Sequence, residues 1–167
     1  MNEPDLFIEL TEQHLSVSVR DGDESLGSTL LPVGLRSLAT QLDPVSAGNP
    51  PRPEELTNAV GLVIDHLDDI DREVPASAAC LGAILHGEGV QQLASVEAGH
   101  NVAPPVVLSR AELEDIFRTL ATESAAERSS NPGLPSEWVH PILAVATVAV
   151  AVVRGRDLSQ LTLGTST

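Results

Sequence analysis

Metal or nucleophilic catalysis needs certain residue types at certain spacings, and this sequence offers few of them. Its five histidines, His14, His66, His86, His100 and His140, form no HExxH pair and have no CxxC companion, so zinc has no short-range ligand set. Surface or capping roles suit each of them. No G-x-S-x-G is present, which leaves a Ser-His-Asp triad without its elbow. Cys80 is the only cysteine, lies in the apolar run Ala78-Ala79-Cys80-Leu81, and reads as a buried inert thiol. Gly87-Glu88-Gly89 lacks the third Gly or following Lys of a nucleotide loop, so turn geometry explains it better. Asp65, Asp68, Asp69 and Asp71 could attract a cation, but no loop of calcium-binding spacing accompanies them and a solvated acidic face is simpler. Arg110, Arg118, Arg128, Arg154 and Arg156 offer either an anion patch or, more simply, dipole compensation and ion pairs with Glu112, Glu114 and Glu123.

The elements that must position these groups follow from periodicity. Leu6–Leu10 and Leu15–Val19 read as strands, the second by alternation of apolar and hydroxyl residues, and Asp21-Gly22-Asp23-Glu24 turns the chain into a third strand over Ser28–Val33. A short helix over Gly34–Leu42 and a surface loop over Asp43–Pro53 come next. Pro53-Glu54-Glu55 opens a helix whose buried face is Leu56, Ala59, Val60, Val63, Leu67 and Ile70, with Pro75 ending it. Ala78–Ala83 reads as a strand buried on both faces, Glu88–Val96 as a helix and His100–Pro105 as a loop. Ser109-Arg110-Ala111-Glu112 has the spacing of a capping box and starts a helix to about Thr122. Ser136 is a candidate N-cap for an apolar helix over Trp138–Arg154, and Leu161-Thr162-Leu163 is a last strand.

Composition bounds the partners. The chain has 167 residues, which suits one domain over 1–167, and its aromatic content of 2% leaves Leu, Val, Ile and Ala to build the core. All nine basic residues are Arg against 24 carboxylates, a formal net charge of −15 that repels nucleic acid and anionic membranes. The N-terminus Met1-Asn2-Glu3-Pro4-Asp5 has no signal-peptide character, and Ile142–Val153 is shorter than the roughly 20 residues that cross a bilayer. With the lone cysteine, these features predict a cytoplasmic protein. The initiating Met and the Thr165-Ser166-Thr167 tail read as a complete chain.

A meander followed by alternating helices and strands is the order of one lobe of the actin-like ATPase superfold, and short segments carry the likeness further. Leu31-Pro32-Val33-Gly34-Leu35-Arg36-Ser37-Leu38 is similar to an "LPLGAVRLT" element, and Asn49-Pro50-Pro51-Arg52-Pro53-Glu54-Glu55-Leu56 to a "DPPTxEEL" helix start. Val107-Leu108-Ser109-Arg110-Ala111-Glu112-Leu113, Ala125-Ala126-Glu127-Arg128, Asn131-Pro132-Gly133-Leu134, Ile142-Leu143-Ala144 and Leu158–Leu163 follow in the matching order. In this order the chain resembles the C-terminal lobe of the Ppx/GppA exopolyphosphatase family. The resemblance implies an α/β domain of the ribonuclease H-like kind: a mixed sheet beginning with a three-stranded meander, with helices on its faces.

The resemblance also implies a phosphate site that this sequence does not keep. The family's "DxGGGSTE" loop aligns with Glu9-Leu10-Thr11-Glu12-Gln13-His14-Leu15-Ser16, where no glycine remains for a backbone nest and Glu12 replaces an anion-friendly position. Glu9 takes the place of the motif aspartate that helps hold a divalent metal. The family's second glycine loop, "GxGGT", aligns with Cys80-Leu81-Gly82-Ala83-Ile84. The preceding lobe, with its own "DxGTNS" loop and catalytic Glu, has no counterpart. The implied function is a degenerate, non-catalytic domain serving protein interaction or regulation, with a protein partner or a homodimer and no cofactor. The alternative is an exopolyphosphatase or guanosine pentaphosphate phosphohydrolase, Mg²⁺-dependent and active only as a dimer or with a partner lobe.

Overall fold

A computed structural model of the chain describes residues 3–42 and 49–165; most of the expected Asp43–Pro53 loop, the first two residues and Ser166-Thr167 lie outside the described residues. Alternation at the start of the chain produces the expected meander. β1 (Asp5–Leu10), β2 (Leu15–Asp21) and β3 (Glu24–Leu31) pair antiparallel, and Gly22, at φ 61°, turns the chain between the last two. Leu6, Ile8, Leu10, Leu15, Val17 and Val19 share one face of these strands and are at most 1% exposed.

α1 (Leu35–Leu42) follows, then α2 (Pro53–Asp68), which starts on Pro53 with Glu54 and Glu55 in its first turn. The Arg52 N–H donates to Glu55 Oε2 at 3.1 Å, so the predicted start is also capped. α3 (Ile70–Glu73) continues α2 to the stop at Pro75.

The expected strand over Ala78–Ala83 is displaced. Pro75–Ala79 is a 3-10 turn in which the Ser77 N–H donates to Val74 O and the Cys80 N–H to Ser77 O, and Ala78 and Ala79 are exposed. The strand is β4 (Ala83–Gly87), parallel to β1 with Leu6 opposite Ala83 and Leu10 opposite Gly87. Cys80 is therefore half-buried, and burial raises the pKa of its thiol, in keeping with an inert residue.

α4 (Val90–Ala98) leads to β5 (Val106–Ser109), a strand that periodicity does not predict because it has only four residues and directly follows two prolines. α5 (Arg110–Thr122) begins at the predicted capping box: Glu112 N–H donates to Ser109 Oγ at 3.1 Å and Ser109 N–H to Glu112 Oε2 at 2.7 Å. α6 (Ala125–Arg128) repeats the device with Ser124 and Glu127.

The apolar helix starts later than expected. Ser136–Trp138 is a 3-10 turn, and α7 (Ile142–Gly155) has Pro141 rather than Ser136 at its N-cap, because a proline ring in a helix interior would clash with the carbonyl four residues back. Every residue from Ile142 to Val153 is buried, and α1, α2, α4 and α5 pack around this helix. Among the described residues, no helix is long and apolar enough to cross a membrane. β6 (Gln160–Leu163) runs parallel to β4 and antiparallel to β5, completing a six-stranded mixed sheet of order β3-β2-β1-β4-β6-β5.

Helical cover is one-sided. On the face opposite Leu6 and Ile8, Phe7, Glu9, Ser16, Ser18, Ile84 and His86 are only half-buried, and Leu30 and Val107 are 63% and 53% exposed.

Candidate functional site at the carboxyl ends of the parallel strands

In open α/β sheets, ligands bind outside the carboxyl ends of the strands, where the connections to neighbouring elements diverge. At that edge lies a cavity of about 540 Å³, lined by Glu9, Leu10 and Thr11 from the end of β1, Gly87, Glu88 and Gly89 after β4, and Gln91 and Gln92 in the first turn of α4. Pro104, Trp138, Gly164 and Thr165 complete its wall.

Both glycines are required by the geometry. Gly87 has φ 107°, and a Cβ there would lie 2.3 Å from Leu10 O; the adjacent Glu88 N–H donates to that same oxygen at 2.9 Å. Gly89 has φ 78°, and a Cβ there would lie 2.6 Å from the Trp138 ring. Absence of side chains thus brings the turn against β1 on one side and seats the aromatic wall on the other. The first-turn N–H groups of α4 contribute the positive end of a helix dipole, about half an elementary charge.

Only part of the expected loop reaches the cavity. Glu9 and Thr11 line it, whereas Glu12, Gln13 and His14 form the β1–β2 turn. Thr11 closes that turn: its hydroxyl donates to His14 O at 2.9 Å and accepts from the His14 N–H at 3.1 Å. Glu12 pairs with Arg36 at 3.4 Å, both exposed. Gly82 and Ala83, the expected second-loop position, stand at the opposite end of β4, beside Asp5, Leu81 and Ser159. The turn facing Glu9 is Gly87-Glu88-Gly89, for which sequence spacing predicts turn geometry alone. The signal lay in strand direction: a loop that meets the end of β1 must follow a parallel neighbour, not precede it.

His86 stands beside Glu9 in the sheet, its Nδ1 3.6 Å from Glu9 Oε2. That nitrogen is buried without a hydrogen-bond partner among the described residues. Burial lowers the His86 pKa, with Arg20 adding to the effect and Glu9 opposing it, so the ring is neutral at pH 7 and the contact is not an ion pair there. A histidine depressed in the fold stabilises it above the unfolded pKa, and that contribution is lost as pH falls from about 6.5 towards the lower folded value. Urea denaturation of wild type and His86→Gln is expected to show a flatter pH dependence for the variant between about pH 6.5 and 5. Identical slopes would show that His86 does not titrate with folding.

The remaining candidates disperse. Arg110 pairs with Asp157, Arg118 with Asp115, Arg154 with Glu114 and Arg156 with Asp71, so the arginines serve ion pairs rather than one anion patch. Asp69 pairs with Arg72, and hydrogen bonds from Ser77 and Arg156 hold the Asp71 carboxyl below its usual pKa. Among the described residues, no group of three or more His, Cys, Asp or Glu side chains could hold a metal ion.

No family model and no curated protein matches the sequence. Solved structures do match. A Ppx/GppA phosphatase from Aquifex aeolicus superposes with TM-score 0.81 at 17% identity, over 99% of this chain and 54% of that one. An exopolyphosphatase from Cytophaga hutchinsonii gives TM-score 0.79 at 13% identity, over 98% and 54%. An exopolyphosphatase-like protein gives 0.83 at 16%, over 97% and 54%. The chain therefore has the Ppx/GppA-type actin-like fold and spans about half the length of the structures it matches.

Proposed function

We propose that the chain is a Ppx/GppA-like lobe that has lost catalysis and serves as a protein-interaction or regulatory module in the cytoplasm. The observation that carries this is the charge of the cavity: at the carboxyl ends of β1 and β4, where a phosphate would be held, stand the carboxylates Glu9 and Glu88, with no Arg among the described lining residues. Two negative groups oppose a polyanion more strongly than one helix terminus attracts it. Its partner is a protein or a second copy of this chain, received on the open sheet face. Parallel strands such as β1, β4 and β6 are ordinarily covered on both sides, and here the face opposite Leu6 and Ile8 is open, with Leu30 of β3 and Val107 of β5 on it 63% and 53% exposed.

A melting-temperature titration with polyphosphate, guanosine nucleotides and Mg²⁺ tests the loss of catalysis. A ligand at a hundred times its Kd stabilises the folded state by about 2.7 kcal/mol, an easily measured shift. We expect no saturable shift at millimolar ligand. Mg²⁺-dependent phosphate release from polyphosphate by the pure protein, abolished by Glu9→Ala, would refute the proposal.

One observation favours a second reading, a Mg²⁺-dependent phosphohydrolase completed by a partner lobe or a second copy. Gly87-Glu88-Gly89, with two left-handed glycines at the start of α4, is the backbone geometry that receives phosphates elsewhere. That version requires turnover to appear on adding the partner.

A further inference from the structure

We propose that the cavity at the carboxyl ends of β1 and β4 binds a cationic group, a guanidinium or an ammonium, between Glu9, Glu88 and Trp138. The inference rests on the preceding reading that this edge of the sheet no longer takes phosphate. At about 540 Å³ the cavity is large enough for a side-chain-sized ligand. Its two titratable lining groups are both carboxylates, Glu9 near the end of β1 and Glu88 in the turn after β4, so a ligand there meets negative charge from two separate segments. Trp138 supplies the aromatic surface on which cations, and arginine above all, are held. Gly89 leaves room for that ring, since any Cβ there would lie 2.6 Å from it. Gln91 already donates its side-chain N–H to Asn101 Oδ1 at 3.2 Å, which leaves its carbonyl oxygen as a further acceptor.

The opposing influence is the start of α4, worth about half a positive charge against two full negative ones. The Thr11 hydroxyl, which could otherwise meet an anion, is committed to His14. The cavity thus has acceptors and an aromatic side chain where a phosphate site needs donors. The cation can come from a free polyamine or from an Arg or Lys of a protein partner.

Trp138 is the only tryptophan in the chain, so its fluorescence reports on this wall alone. The wild-type protein would be titrated with a short Arg-containing peptide, the same peptide with citrulline in place of Arg, spermidine, tripolyphosphate and Mg²⁺. We expect a saturable change with the Arg peptide and none with its neutral citrulline twin. Saturation by spermidine at lower concentration than the peptide would identify the polyamine as the source, and the reverse a protein side chain. Glu88 is exposed, so Glu88→Gln leaves the fold intact, and losing one charge-assisted contact is expected to weaken binding by about tenfold. Equal responses to Arg and citrulline, no response to any cation, or an unchanged affinity in Glu88→Gln would each overturn the proposal, as would saturation by Mg²⁺ alone. Saturable tripolyphosphate binding would overturn both this inference and the loss of phosphate recognition. Silence towards every ligand would sink only this one.

Discussion

Replacing Arg128 by Met is expected to lower the unfolding free energy by about 3 kcal/mol. The side chain is 5% exposed, and its guanidinium donates to Leu120 O at 3.2 Å, to Val139 O at 2.9 Å and to Glu123 O at 3.2 Å. Leu120 and Glu123 belong to the end of α5, where carbonyls lack helical donors and the dipole is negative; Val139 lies in the turn leading to α7. One cation therefore ties the end of α5 to the turn before α7 through the backbone. Met keeps the apolar stem but supplies no donor, so three carbonyls lose a partner that water reaches poorly. In a chain of this size the melting temperature falls by about 2–4 °C per kcal/mol, giving an expected drop of about 6–12 °C. Arg128→Lys should recover only part, because an ammonium cannot span three acceptors in a planar fork. A drop below about 2 °C for the Met variant would show that these carbonyls are satisfied in another way.

Gly87→Val should destabilise the protein comparably, by about 3 kcal/mol or more, and should also remove cation binding. The new side chain would have to adopt φ 107° and place its Cβ 2.3 Å from Leu10 O, so β1 and the turn after β4 must separate. Gly99→Ala is the control: its φ is 74°, yet nothing lies within 4 Å of the added Cβ, and only the left-handed backbone cost of about 1 kcal/mol applies. Equal melting temperatures for the two variants would mean that the contact with Leu10 yields freely. Cation-induced Trp138 fluorescence should survive in Gly99→Ala and disappear in Gly87→Val.

The sequence determined those parts of the protein whose cause is local. Alternation in Leu15–Val19 set the meander, Pro53 and Ser109 set the starts of α2 and α5, and the uninterrupted apolar run Ile142–Val153 marked a helix buried on all sides. Each depends on contacts within a few residues, which periodicity and capping rules read directly. The order of those elements also pointed to the fold that the solved structures share.

Tertiary structure decided where the elements meet. β4 begins at Ala83 because its register is dictated by β1, far away in sequence; the apolar run Ala78–Ala83 reads equally well as a strand until Ser77 and its neighbours close a 3-10 turn. β5 has too few residues for a pattern and exists because β6 offers it a partner. The site follows the same logic. Glu9, Glu88 and Trp138 are remote along the chain, and only parallel pairing of β1 with β4, together with close approach at Gly87 and Gly89, gathers them around one cavity. Long-range register carries no short-range sequence signature, so the positions of the candidate loops could be assigned only once the sheet had formed.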